Sequence, residues 1–195
     1  MKLDVVGFGA LNVDKFYHVA RIAREGEESS VVSMSEAPGG SAANTIVGLA
    51  RLGARTGFIG KVADDREGHL MLDDFRRECV DTHGVIVAKE GATGAVSAFI
   101  DQKGERALYV HPSVNDTLSF EEINFEYASR ADFLHLTSFH ERPFQAQVRL
   151  VEKLRNVKIS LDPGEIYARK GLTSLRPILK RCFVLLPSEN EVKLL

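Results

Sequence analysis

Asn12 and Asp14 stand two residues apart, just after the apolar run Leu3 to Phe8. A carboxylate accepts hydrogen bonds and a carboxamide both accepts and donates, so the pair can hold the hydroxyls of a polyol. The same two residues also suit a solvated turn. Gly39 and Gly40 precede a helical pattern. Two glycines there can bring backbone N–H groups close to a ligand, and a helix N-terminus favours partial negative charge. Asn44 falls on the first turn of that helix, facing the same mouth. A tight turn with capping would use the same residues.

Other chemistries fail on their spacing. Gly7-Phe8-Gly9-Ala10-Leu11-Asn12 begins like a dinucleotide fingerprint, but Asn12 replaces the third glycine and Val13 to Phe16 open no amphipathic helix. No phosphate-binding GxxxxGK[ST] loop occurs. His18, His69, His83, His111, His135 and His140 have no metal-ligand spacing, and His140-Glu141 lacks the second histidine of a zinc protease motif. A Ser/His/Asp order without geometry defines no triad. Cys79 and Cys182 are too far apart for a redox or zinc motif. Both sit among apolar residues and are expected as inert, buried thiols in a reducing cytosol.

The elements that must position these groups alternate between two hydrophobic periods. Leu3–Phe8 reads as a strand buried on both faces. Ser41–Leu52 reads as a helix closed by Gly53, Thr56–Val62 as a strand, and Gly68–Cys79 as a helix. Residues 94–101 and 106–111 flank Gln102-Lys103-Gly104-Glu105, a hairpin signal, and residues 16–37 carry two further β-like runs. From Phe120 the order is regular: helix near 120–128, strand 132–137, helix around Phe144 to Leu154, strand 157–162, helix around Leu172 to Leu179, strand 182–186. After Pro187, Ser188-Glu189-Asn190-Glu191 forms a capping box, with Val192, Leu194 and Leu195 beginning an apolar face. The architecture is α/β: a mostly parallel sheet covered on both faces, with a small antiparallel appendage.

Composition bounds the partners. In 195 residues, 25 Lys and Arg against 27 Asp and Glu give a net charge of -2. That balance offers no electrostatic footprint for nucleic acid or an anionic membrane. No apolar run approaches the roughly 20 residues needed to span a bilayer. The N-terminus, with Asp4 and Asp14 around its apolar stretch, makes a poor signal peptide. A cytoplasmic protein is expected.

Five segments occur in the order, and at about the spacing, of the ribokinase or PfkB carbohydrate kinase family: residues 7–14 (GFGALNVD), 39–53 (GGSAANTIVGLARLG), 58–68 (FIGKVADDREG), 93–110 (TGAVSAFIDQKGERALYV) and 161–167 (LDPGEIY). The chain resembles that family over essentially its whole length. It departs at Ile46, where a small residue is usual, and at Ala63, where glycine is usual. The resemblance implies one ribokinase-like αβα sandwich over 1–195, with lid segments at about 16–37 and 93–111. It implies ATP- and Mg²⁺-dependent phosphorylation of a hydroxyl on a sugar or nucleoside, and it leaves room for a homodimer through the lid. Asn12 and Asp14 match the family's substrate-hydroxyl ligands, and Gly39, Gly40 and Asn44 match its sugar-contacting Gly-Gly and Asn. Arg106 lies in a Gly-Glu-Arg turn with a substrate or phosphate role. Glu191 matches a Glu associated with Mg²⁺, with Ser188 standing where the family has Asn. The second family signature, a Gly-x-Gly-Asp that holds the general base, has no counterpart in these residues. The architecture is therefore expected to be unfinished at Leu195, the C-terminal part of the fold missing and the chain inactive alone. A nucleoside kinase of the same family and a non-catalytic carbohydrate-binding remnant are the alternatives.

Overall fold

A computed structural model describes residues 2–139 and 142–195. The apolar runs become a six-stranded parallel sheet: β1 (Leu3–Phe8), β4 (Thr56–Ala63), β5 (Asp81–Ala88), β8 (Ala131–Thr137), β9 (Lys158–Asp162) and β10 (Cys182–Leu185). Their order across the sheet is β10-β9-β8-β1-β4-β5. The chain thus builds outward from β1 to β5 on one side, then returns to the other side at β8. Open α/β sheets bind ligands where the order reverses in this way, outside the carboxyl ends of the strands. Here that crevice lies at the ends of β1 and β8.

Helices α1 (Ser41–Arg51), α2 (Arg66–Arg77), α3 (Phe125–Ser129), α4 (Arg142–Lys153), α5 (Gly164–Ala168), α6 (Gly171–Leu179) and α7 (Glu189–Leu194) accompany the sheet. Successive residues of β4 point to opposite faces. Phe58 joins a core with Ile46, Met71 and Phe75 from α1 and α2. Ile59 joins a second core with Val6, Phe8, Leu134 and Leu150. All eight residues of β4 are buried, which is why this strand reads as a continuous apolar run. Within it Lys61 is buried and reaches Glu122 at 2.5 Å.

The appendage is a second sheet: β2 (Asn12–Val19), β3 (Val31–Gly39), β6 (Gly94–Ile100) and β7 (Arg106–His111), in the order β3-β2-β6-β7. The β6–β7 hairpin and the β2–β3 pair are antiparallel as expected, but β2 and β6 run parallel, so the sheet is mixed. Strand β2 starts at Asn12, earlier than the β-like runs suggest, which takes Asn12 and Asp14 out of a turn and into a ladder.

Four expectations are corrected. The helix near 120–128 is broken into a 3-10 turn at Phe120–Glu122 and α3, because the Asn124 side chain caps the backbone N–H of Tyr127. Helix α2 begins at Arg66 with Asp65 as its cap, two residues before Gly68. Cys79 is exposed rather than buried: it follows the end of α2 with φ 58°, and this left-handed step carries it away from the core face of the helix. Residues 81–88, which the sequence reading assigns to no element, form the edge strand β5. His140 lies outside the described residues. No helix among the described residues is long and apolar enough to cross a membrane.

Candidate functional site

A cleft of about 230 Å³ opens at the reversal point, lined by residues after β1 (Ala10, Asn12), at the start of α1 (Gly40, Ser41), after β8 (Thr137 to Phe139) and around the end of β9 (Asp162, Gly164). The second sheet roofs it. Asn12, Val96 and Val110 line the cleft from that sheet. Register puts Asp14 and Val96 opposite each other, and Val96 opposite Val110. Asp14, two residues from Asn12, therefore projects from the cleft-facing side of the sheet.

The walls are held by buried polar links. Gln147, fully buried on α4, donates to the carbonyls of Phe8 and Thr137 at 3.1 and 2.9 Å. These are the terminal residues of β1 and β8, the two strands that flank the crevice. The Tyr167 hydroxyl of α5 donates to Gln147 Oε1 at 2.9 Å, so the same amide fixes α5 to the strand ends. Ser41 donates to Asp162 Oδ2 at 3.0 Å, and Gly164 N–H to Asp162 Oδ1 at 3.1 Å, joining the start of α1 to the end of β9. Under the roof, Asn115 bonds both backbone groups of Leu11.

Asp14 stands apart from these links. Its carboxylate accepts no hydrogen bond from any described residue, and burial raises its pKa above the ordinary carboxylate value. It rests against Gly39, where a Cβ would lie 2.2 Å from Asp14 Oδ2. Gly40 takes φ 112°, a left-handed conformation, and a Cβ there would meet the Ala10 carbonyl at 2.4 Å. The two glycines therefore differ: one makes room for a side chain, the other for the backbone.

Asn12 and Gly40 line the cleft, and Asp14 and Gly39 pack against each other beside it. Asn44 is on the first turn of α1 but exposed, and it does not line the cleft. Arg106 begins β7, exposed at the far end of the lid sheet. Glu191 accepts from Ser188 N–H at 2.8 Å within the capping box and lines a separate groove beside Glu165 and Arg169. Among the described residues no group of three or more His, Cys, Asp or Glu could hold a metal ion. Sequence reasoning missed Asn115, Gln147, Ser41 and Asp162. Only LDPGEIY hinted at the last, and nothing in the sequence separates Gln147 from an ordinary surface glutamine of an amphipathic helix.

His135 is buried in β8 with Nδ1 3.0 Å from Ser160 Oγ and Nε2 unpartnered. Burial lowers its pKa, opposed by the Asp162 charge. His18, His69, His83 and His111 are exposed.

The sequence matches the description "pfkB family carbohydrate kinase" over residues 2–195. The chain belongs to that family. A sugar kinase of Archaeoglobus fulgidus, itself uncharacterized, is 44% identical to this pfkB-family chain over 153 residues, covering 76% of the chain and 60% of that protein. The ATP-dependent ribose-1-phosphate kinase of Halopiger xanaduensis is 33% identical over 189 residues, covering 96% and 62%. The solved ribokinase of Arabidopsis thaliana, complexed with ribose and ATP, superposes with a TM-score of 0.83 at 22% identity, covering 100% of this chain and 63% of that one. At that identity the likeness is one of fold. The chain spans 60% and 62% of the length of these two curated relatives.

Proposed function

We propose that residues 1–195 form the sugar-binding portion of an ATP-dependent kinase that phosphorylates a hydroxyl of a pentose, hexose or sugar phosphate. The observation that carries this reading is the unpartnered Asp14 carboxylate, half-buried on the cleft-facing side of the lid sheet, beside the cleft-lining Asn12 and with Gly39 cleared for it. A desolvated carboxylate without a cation is costly unless a ligand completes it. Sugar hydroxyls do so with charge-assisted bonds. Asn12 offers a donor beside it, the start of α1 lines the floor, and lid closure would exclude water. The fold family and the ribose-1-phosphate kinase relative support ATP as phosphoryl donor. ATP, as its Mg²⁺ chelate, would supply the transferred phosphoryl group, with Glu191 as the candidate group near the metal. The transfer further requires a base and nucleotide-binding groups, which a Gly-x-Gly-Asp segment provides in this family; no such segment occurs in residues 1–195.

A homodimer through the lid is part of the same reading. Val31, Val32, Met34 and Tyr109 leave exposed apolar side chains on that sheet. Sedimentation of the protein tests it: a monomer at all concentrations removes the dimer.

The test of function is titration of residues 1–195 with D-ribose, D-fructose, ribose 1-phosphate and adenosine, followed by amide chemical shifts, with an ATP-dependent phosphorylation assay beside it. Sugar-induced shifts around Asn12 and Asp14 without turnover are expected. Shifts confined to other regions would overturn the site, and turnover by this segment alone would overturn the division of labour.

A further inference from the structure

Asn115 follows the lid in sequence, in a 3-10 turn at Ser113–Thr117, and is 1% exposed. Its amide sense is set by the backbone. The Leu11 N–H can only donate, so the atom 2.9 Å away is Asn115 Oδ1; the Leu11 carbonyl can only accept, so the atom 2.9 Å from it is Nδ2. The same Nδ2 stands 3.0 Å from the Asn12 side chain. Facing a donor, Asn12 must turn its Oδ1 toward Asn115. Its own NH₂ is left with no partner among the described residues, on a side chain that lines the cleft.

Strand β6 is shaped around this contact. Gly94 is the register partner of Asn12, and a Cβ there would lie 2.1 Å from Asn115 Nδ2 and 2.3 Å from Asn12 Oδ1. Any side chain at this position would push the two amides apart.

We propose that Asn115 is a positioning residue that fixes the Asn12 amide with its NH₂ toward the substrate. The site then has a set polarity: a pure donor at Asn12 and, about 7 Å along the same face of β2, a pure acceptor at Asp14. The substrate must offer an accepting oxygen (a hydroxyl, a ring oxygen or a carbonyl) at the first and a hydroxyl hydrogen at the second. A sugar carrying a protonated amine at the first position is rejected. This inference rests on the sugar-site reading above.

A double-mutant cycle tests it, with the tightest-binding of D-ribose, D-fructose and ribose 1-phosphate as probe. Asn115→Asp keeps the bond from Leu11 N–H but turns an oxygen toward Asn12, which must rotate and present Oδ1 to the cleft. Asn115→Asp and Asn12→Ala should each weaken binding about tenfold, and the double variant should bind no more weakly than Asn12→Ala alone. Losses that multiply, or an Asn115→Asp protein that binds as tightly as the parent, overturn the proposal alone. If Asn12→Ala and Asp14→Asn both bind like the parent, the sugar-site reading falls with it. A measurement on the unmutated protein covers the case in which Asn115→Asp does not fold. Its Asn12 NH₂ protons should exchange rapidly when free and slow on adding sugar, while the Asn115 NH₂ protons stay slow throughout. Slow Asn12 NH₂ exchange without sugar overturns the assignment.

Discussion

The carboxylate of Asp14 lies so close to the Cα of Gly39 that a methyl group on Gly39 would fall within 2.2–2.6 Å of all three of its terminal atoms. Strand β2 and the last residue of β3 are thereby fitted to one another around a charge that no described residue neutralises.

That charge should oppose folding while serving the ligand. Its folded-state pKa is raised by burial, so the native carboxyl binds protons more tightly than the unfolded one. Stability contributed by Asp14 is therefore present at low pH and lost as pH rises through the raised pKa. At neutral pH Asp14→Asn should raise Tm by about 1–3 °C and weaken sugar binding roughly thirtyfold. Calorimetry at pH 7 and at pH 4 reads both effects, with the Tm gain shrinking at the lower pH. A variant less stable at pH 7 would contradict the account.

The two glycines should separate binding from stability. Gly39→Ala displaces the Asp14 carboxylate without left-handed strain, and should weaken sugar binding at least tenfold with a modest change in unfolding free energy. Gly40→Ala, at φ 112° and against the Ala10 carbonyl, should cost about 1–3 kcal/mol in denaturant unfolding. Equal effects of the two changes on both measurements would contradict the assignment.

Removing the amide at position 147 should loosen the crevice from behind. Gln147→Leu leaves the carbonyls of Phe8 and Thr137 and the Tyr167 hydroxyl without this partner in a dry core, at about 1–3 kcal/mol for each group left unsatisfied. Tyr167→Phe removes a single bond and should cost about 1 kcal/mol. Urea unfolding of the two variants should rank them in that order.

The acid limb of the stability curve should carry the signature of His135. Burial lowers its folded-state pKa, so below the unfolded value of about 6.5 the unfolded chain binds the extra proton and stability falls as pH drops. His135→Gln keeps a polar contact to Ser160 without the titration. Its loss of stability between pH 7 and pH 5 should be smaller than in the parent.

The sequence by itself determined the family and most of the strands and helices, though not the edge strand β5. Leu3–Phe8 and Thr56–Val62 are legible because strands covered on both faces are mostly apolar, and the Ser188–Glu191 capping box is legible because its partners are local. Asn12, Asp14 and the glycine pair were marked by type and spacing, and the fold gathers them at one edge of the sheet. Tertiary structure alone decided the rest. Asn115 lies 103 residues from Asn12, and Gln147 lies 139 from Phe8, and no local period reports which backbone groups a distant amide will satisfy. The parallel β2–β6 pairing and the exposure of Cys79 were likewise set by how segments meet, because strand register and helix termini answer to packing rather than to the residues within them.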